Sequence, residues 1–143
     1  MKFIGVTLEE LPSTWPKIEH LVDKTVKYSN GRYSKKTVAD GILSGLMQLW
    51  LVIDDEDSDR IMLAMVTQIM SYPTGAVVCD IVLLGGSNIN KWLNFAESSL
   101  LSWAAKMGFK SAQLVGRPGW AKMLKNWGSM FIMLERDLEN YNG

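Results

Sequence analysis

The 143 residues, 48% of them hydrophobic and including six Trp and nine Met, are enough for one domain with a single core, and they exclude a disordered chain. Formal net charge is zero, so no whole-protein field points to nucleic acid or an acidic membrane surface, and self-association into a homo-oligomer meets no charge barrier. Cys79 is the single cysteine, which excludes a disulfide within the chain and fits a reducing compartment.

The opening MKFIGVTLEELP meets acids and a proline before any long apolar run, unlike a signal peptide. No window approaches the roughly 18 apolar residues of a membrane span, so a cytoplasmic protein is expected. Residues 2 to 7 read as a first strand. Trp15, Ile18, Leu21, Val22 and Val26 then form the apolar stripe of a helix with Pro16 in its first turn. Ser34 can cap a second helix, in which Val38 and Ile42 lie four apart and which Gly45 can end. Residues 46 to 53 and 60 to 70 are strands around the polar turn DDEDSD. A third strand runs through TGAVVCDIVLLGG, from the Pro73 to Gly75 turn to a glycine pair.

The longest helix is expected from about Lys91 to Met107. Trp92, Phe95, Ala96, Ser99, Leu100, Trp103, Ala104 and Met107 recur at spacings of three and four, a stripe wide enough to pack on a sheet, and Gly108 ends it. SAQLV at 111 to 115 is a short strand closed by Gly116. Pro118 can start a helix carrying Trp120, Met123, Leu124 and Trp127 as far as a left-handed Gly128. Met130, Ile132 and Leu134 then alternate with Phe131, Met133 and Glu135 as a last strand, expected to be mostly buried at its start. No repeat or linker divides the chain, so residues 1 to 143 are expected to form one α/β domain: a meander of strands followed by a crossover through a helix.

This element order resembles that of the GNAT superfamily, the Gcn5-related N-acetyltransferases, over nearly the full length. The phrase WAAKMGFKSAQLVGRPGWAKMLKNWGSM is similar to that family's long helix, fifth strand, short helix and Gly-containing turn. The resemblance implies an acyl-CoA N-acyltransferase fold, with a mixed, mostly antiparallel twisted sheet flanked by about four helices. It also implies acetyl-CoA or another acyl-CoA as the acyl donor. GRY at 31 to 33, QLW at 48 to 50 and GRPGW at 116 to 120 look like small GNAT-like proteins of tailed bacteriophages, which would place the chain in a host cytoplasm or a virion.

Active members carry an Arg/Gln-x-x-Gly-x-Gly/Ala loop before the long helix, where bare backbone can approach the pyrophosphate of the donor. Counting back from Gly108 puts Asn88, Lys91 and Leu93 at the positions of the Arg/Gln and the two small residues, so the motif is absent on that count. Gly85, Gly86, Ser87 and Asn88 could form a shifted anion nest with Lys91 as counter-charge, though a plain tight turn explains the same residues. Ile81, Val82 and Leu83 complete the strand end that would hold the pantetheine arm. The tyrosine that often protonates the departing thiolate falls here on Leu124, and the common asparagine ending the fifth strand falls on Arg117. Arg117, at a strand end before a Pro-initiated helix, is where a loop residue meets a ligand in an α/β sheet.

Asp80 is the best-placed candidate general base, since it sits inside an apolar strand. A strand acid facing solvent or paired with a polar group is the plainer reading. Tyr72, near the start of that strand, is the tyrosine able to approach a splayed strand pair. His20 lies on a surface helix, and Cys79 reads as a small strand residue. Asp55, Asp57 and Asp59 alternate as in a calcium loop, but Arg60 stands where Gly is needed and Val66 where the bidentate Glu belongs, so no metal is expected. Between Glu97 and Glu135 there is no acid, while Lys106, Lys110, Arg117, Lys122 and Lys125 are basic. Solvated lysines around core tryptophans account for this stretch better than a basic face for cofactor phosphates, nucleic acid or an acidic protein surface.

Two functions follow. One is acyl transfer from CoA to an amine. The other is a GNAT-like protein without catalysis that binds phage or host proteins through a Trp-rich surface.

Overall fold

The computed structural model describes residues 1–142. Ten elements run in the order β1 (Lys2–Gly5), α1 (Leu11–Val26), a 3-10 turn (Lys27–Ser29), α2 (Lys35–Leu43), β2 (Met47–Ile53), β3 (Ile61–Ser71), β4 (Val77–Gly86), α3 (Ile89–Lys106), β5 (Ser111–Leu114) and α4 (Gly119–Met123). The strands form one sheet in sequence order, antiparallel from β1 to β4, with β5 parallel to β4 after the crossover through α3. β4 carries one extra residue against β3: Val66 faces Leu83 and Thr67 faces Ile81, which leaves Val82 as a bulge.

Local chemistry explains where the helices begin and end. Thr7 and Glu10 form a reciprocal box at the entrance to α1, in which the Thr7 hydroxyl donates to Glu10 Oε1 at 2.7 Å and accepts from the Glu10 amide at 3.2 Å. Pro12 supplies the first turn of α1, so Pro16 falls one turn later than the sequence suggests. Ser34 caps α2 as expected, accepting from the Thr37 amide at 3.1 Å while the Ser34 amide donates to the Thr37 hydroxyl at 2.8 Å. Gly45 and Gly108 follow the last turns of α2 and α3 with φ of +81° and +80°, a region that favours glycine.

The sheet separates two apolar layers. Ile18 and Val22 of α1 and Val38 and Ile42 of α2 pack with Leu49, Leu51, Val66 and Leu83. On the opposite face Trp92, Ala96, Leu100 and Ala104 of α3 pack with Val52, Leu63, Met65, Cys79 and Ile81. The expected α3 stripe is therefore the face that meets the sheet. A chain of aromatic contacts ties β1, β2 and α3 together, with Phe3, Trp50, Trp103 and Phe109 ring centroids 5.1, 4.8 and 5.5 Å apart in succession.

The C-terminal part departs from the sequence reading in two ways. α4 stops at Met123 and does not continue to Gly128: Leu124 leaves helical geometry at φ −92° and ψ 76°, and Gly128 is not left-handed. Leu124 is nonetheless buried, and the Trp127 indole donates to Glu97 Oε1 of α3 at 2.9 Å, so both side chains reach their neighbours without a longer helix. The expected last strand is not formed, and residues 130 to 138 have no regular structure. Phe131 is 93% exposed and Ile132 88%, the reverse of a strand buried at its start. Alternation specifies which side chains share a face, but a strand also needs a hydrogen-bonding neighbour. Here the segment is held instead by Glu135, which accepts from Asn30 Nδ2 and Arg32, each at 3.0 Å.

Candidate active site

β5 pairs with β4 from Val78 opposite Ser111 only as far as Ile81 opposite Leu114, while β4 runs on to Gly86. The edge of β4 from Val82 to Gly86 is thus left without a strand neighbour on the β5 side. A cleft of about 610 Å³ opens there, walled by the C-terminal end of α1 and the turn after it, by the second half of β4, and by the chain from Leu114 to Trp120. Unpaired strand edges are templates for extended ligands bearing amide groups.

Of the residues singled out from sequence, Asp80, Ile81, Val82, Leu83, Gly85, Gly86 and Arg117 line this cleft. Ser87, Asn88 and Lys91 do not line it; they lie at the junction of β4 and α3. Asn88 is left-handed at φ +54°, and no side chain caps the α3 N-terminus. The Trp92 indole donates to the Ser87 carbonyl and anchors this junction to the core. The two glycines are bare for a reason internal to the fold. A Cβ on Gly85 would come within 2.7 Å of Thr25 Cγ2 on α1, and one on Gly86 would overlap the Met62 carbonyl oxygen of β3.

Tyr72 does not line the cleft. It sits at the β3–β4 hairpin, where its hydroxyl accepts from Gln113 Nε2 at 2.9 Å. Gln113 is the register partner of Asp80, and Gln68 is the partner on the other side, so these three side chains form a polar row across β3, β4 and β5. Gln68 Nε2 donates to Asp80 Oδ2 at 2.9 Å and to the Tyr33 hydroxyl at 3.3 Å. Asp80 is half-buried and has a fixed orientation, with its second carboxylate oxygen outside this network.

The sequence reading missed the wall contributed by the connection between α1 and α2. Tyr28, Ser29, Arg32 and Tyr33 all line the cleft. The Arg117 guanidinium carbon lies 3.9 Å from the centre of the Tyr28 ring, which bridges the two walls. The GRY phrase at 31 to 33 was the only local sign of this wall. Leu124, at the family's tyrosine position, is buried in the fold and offers no proton. Cys79 is buried on the α3 face, where desolvation pushes its thiol up to about 11, so it is no nucleophile at neutral pH.

The remaining candidates lie apart from the cleft. In the acidic hairpin Asp59 pairs with Lys17 at 2.8 Å and Asp54 with Arg60 at 3.6 Å. Lys106, Lys110, Lys122 and Lys125 are exposed, whereas Trp103 and Trp127 pack against the α3 layer. Among the described residues, no helix is long and apolar enough to cross a membrane.

No protein-family model matches the sequence, and a search of curated proteins finds no match. Solved structures do match. An acetyltransferase from Clostridium acetobutylicum, described as predicted and solved with acetyl-CoA, superposes with a TM-score of 0.64 at 14% identity over 99% of each chain. Glucosamine-6-phosphate N-acetyltransferase from Arabidopsis thaliana gives 0.65 at 14% identity, covering 96% of this chain and 98% of its own. An aminoglycoside acetyltransferase from an uncultured soil metagenomic sample gives 0.67 at 9% identity over 96% of each chain. The fold is therefore that of the GNAT acyltransferases, as the element order suggested, and at these identities the likeness is one of fold.

Proposed function

We propose that this chain is a divergent acyl-CoA-dependent N-acyltransferase. The observation that carries the proposal is the free β4 edge from Val82 to Gly86, facing a cleft whose floor includes an oriented carboxylate, Asp80. The acyl-CoA supplies an activated thioester. Its amide-bearing arm matches the unpaired main-chain groups of β4, and the Ser87–Asn88 junction with Lys91 follows Gly86 directly in the chain, which supports a role for it in meeting the anionic end. In the transfer, a C–N bond forms at the acyl carbon and the C–S bond breaks.

Asp80 accepts the proton that the attacking amine loses, and Gln68 holds the carboxylate in place for it. The departing thiolate takes a proton from a phenol of the cleft wall, Tyr28 or Tyr33, because Leu124 has none to give. The fit is tested by isothermal titration with acetyl-CoA. Micromolar binding is expected in the wild type and in Asp80→Asn, and turnover of an accepted amine by the variant should fall by about 10²–10⁴-fold. Absence of heat and of any thermal shift with several acyl-CoAs would overturn the proposal.

A second reading has its own observation. Met130, Phe131, Ile132 and Leu134 form a run of large apolar side chains, each more than 80% exposed, which suits a phage or host accessory protein that acts through protein contacts and has lost catalysis. A stable complex with a phage protein, together with no acyl-CoA binding, would favour it.

A further inference from the structure

The cleft has two chemically different ends. At the β4–α3 end Gly85 abuts Thr25 of α1, and beyond it lies the junction with Lys91. At the other end Tyr33 shares the Gln68 amide with Asp80, and Arg32, next to Tyr33 in the chain, also lines the cleft. Arg32, together with Asn30, already holds a carboxylate from the chain itself. Glu135 Oε1 accepts from Asn30 Nδ2 at 3.0 Å, Glu135 Oε2 accepts from Arg32 at 3.0 Å, and the same guanidinium nitrogen lies 2.8 Å from Met133 Sδ. Met133 in turn lines the cleft. Asn30 and Gly31 are both left-handed, with φ of +55° and +78°, which turns the backbone so that the Asn30 and Arg32 side chains converge on one anion.

Charge in the cleft is unbalanced in the same sense. Lys24, Arg32 and Arg117 line it against one carboxylate, Asp80, which is engaged by Gln68. Among the described residues, neither Lys24 nor Arg117 forms an ion pair, and Arg117 lies over the Tyr28 ring with its guanidinium free to meet a planar anion. The Arg32–Glu135 pair is open to solvent on both sides, and exposed pairs of this kind are weak enough for another carboxylate to displace.

We infer that the acceptor is an amine that also carries a carboxylate, which takes the seat between Asn30 and Arg32 now filled by Glu135. The inference rests on the acyltransferase reading for its chemistry but not for its binding step. With the substrate carboxylate in that seat and its amine directed towards Asp80, the C-terminal segment from Met133 to Glu135 is released from the mouth of the cleft. Glu135 is then an intramolecular competitor of the acceptor, present at the high effective concentration of a tethered group.

The test uses β-alanine, γ-aminobutyrate and 6-aminohexanoate, each against its own carboxamide, on the full chain. Calorimetry without any acyl-CoA is expected to show at least one acid binding at least tenfold more tightly than its amide. Glu135→Gln should tighten the acid several-fold and leave the amide unchanged, and Arg32→Gln should erase the difference between them. Binding of acid and amide alike, binding of neither to Glu135→Gln, or an acid affinity insensitive to both substitutions overturns the inference. With acetyl-CoA present, acylation should follow the same preference through KM. Loss of acetyl-CoA binding with the acid preference intact would count against the acyltransferase reading and leave the carboxylate seat standing.

Discussion

Gly86 shows how a residue suited to one role can be held by another. Its lack of a side chain fits a backbone that approaches phosphate, but a Cβ there would already overlap the Met62 carbonyl oxygen on β3, before any ligand is considered. Gly86→Ala is therefore expected to destabilise the protein by about 1–3 kcal/mol, the usual range for overpacking, as read by chemical denaturation. A neutral substitution would mean that the β3–β4 contact is looser than described. Asp80 is the converse case. Its position inside an apolar strand was visible in the sequence, but what orients it was not, because Gln68 and Tyr33 come from elements 12 and 47 residues earlier and meet it only through sheet register and the α1–α2 connection.

At the scale of elements, the signals written locally were readable and those that depend on a neighbour were not. Ser34, Gly45 and Gly108 act within one helical turn and mark helix ends where expected. The Thr7–Glu10 box is a similar local device with a pH signature. Donation from the Thr7 hydroxyl holds the Glu10 carboxyl below its usual value, so its contribution is complete above the ordinary carboxylate range and is lost as pH falls through the lowered folded value. The Tm difference between wild type and Thr7→Ala should accordingly be largest near neutrality and shrink in acid; a difference that grows in acid would contradict this.

The alternating segment after Gly128 is the opposite case. Its period is that of a strand, yet none of the main-chain hydrogen bonds among the described residues involves residues 128 to 137. It ends instead in an exposed ion pair. Truncation after Ser129 is thus expected to cost no more than about 1 kcal/mol in thermal unfolding, the range of exposed ion pairs. A loss of several kcal/mol would show that the segment is paired with a strand in solution.

For the whole molecule, the order of elements was enough to suggest the architecture, because β4, α3 and β5 have lengths and boundaries that permit little besides a crossover onto a parallel neighbour. The cleft was less legible. It exists because β5 stops pairing at Leu114 while β4 continues five residues past Ile81, and no single residue type announces that mismatch. Its second wall, with Tyr28 and Arg32, comes from a connection that reads in sequence as a plain loop.

The central claim is that the free β4 edge is the binding template for an acyl donor. Amide hydrogen exchange with and without acetyl-CoA tests it most directly. The account predicts slower exchange in residues 82 to 86 when acetyl-CoA is added, with little change in β1 and β2. Unchanged exchange across 82 to 86 at saturating acetyl-CoA would contradict it.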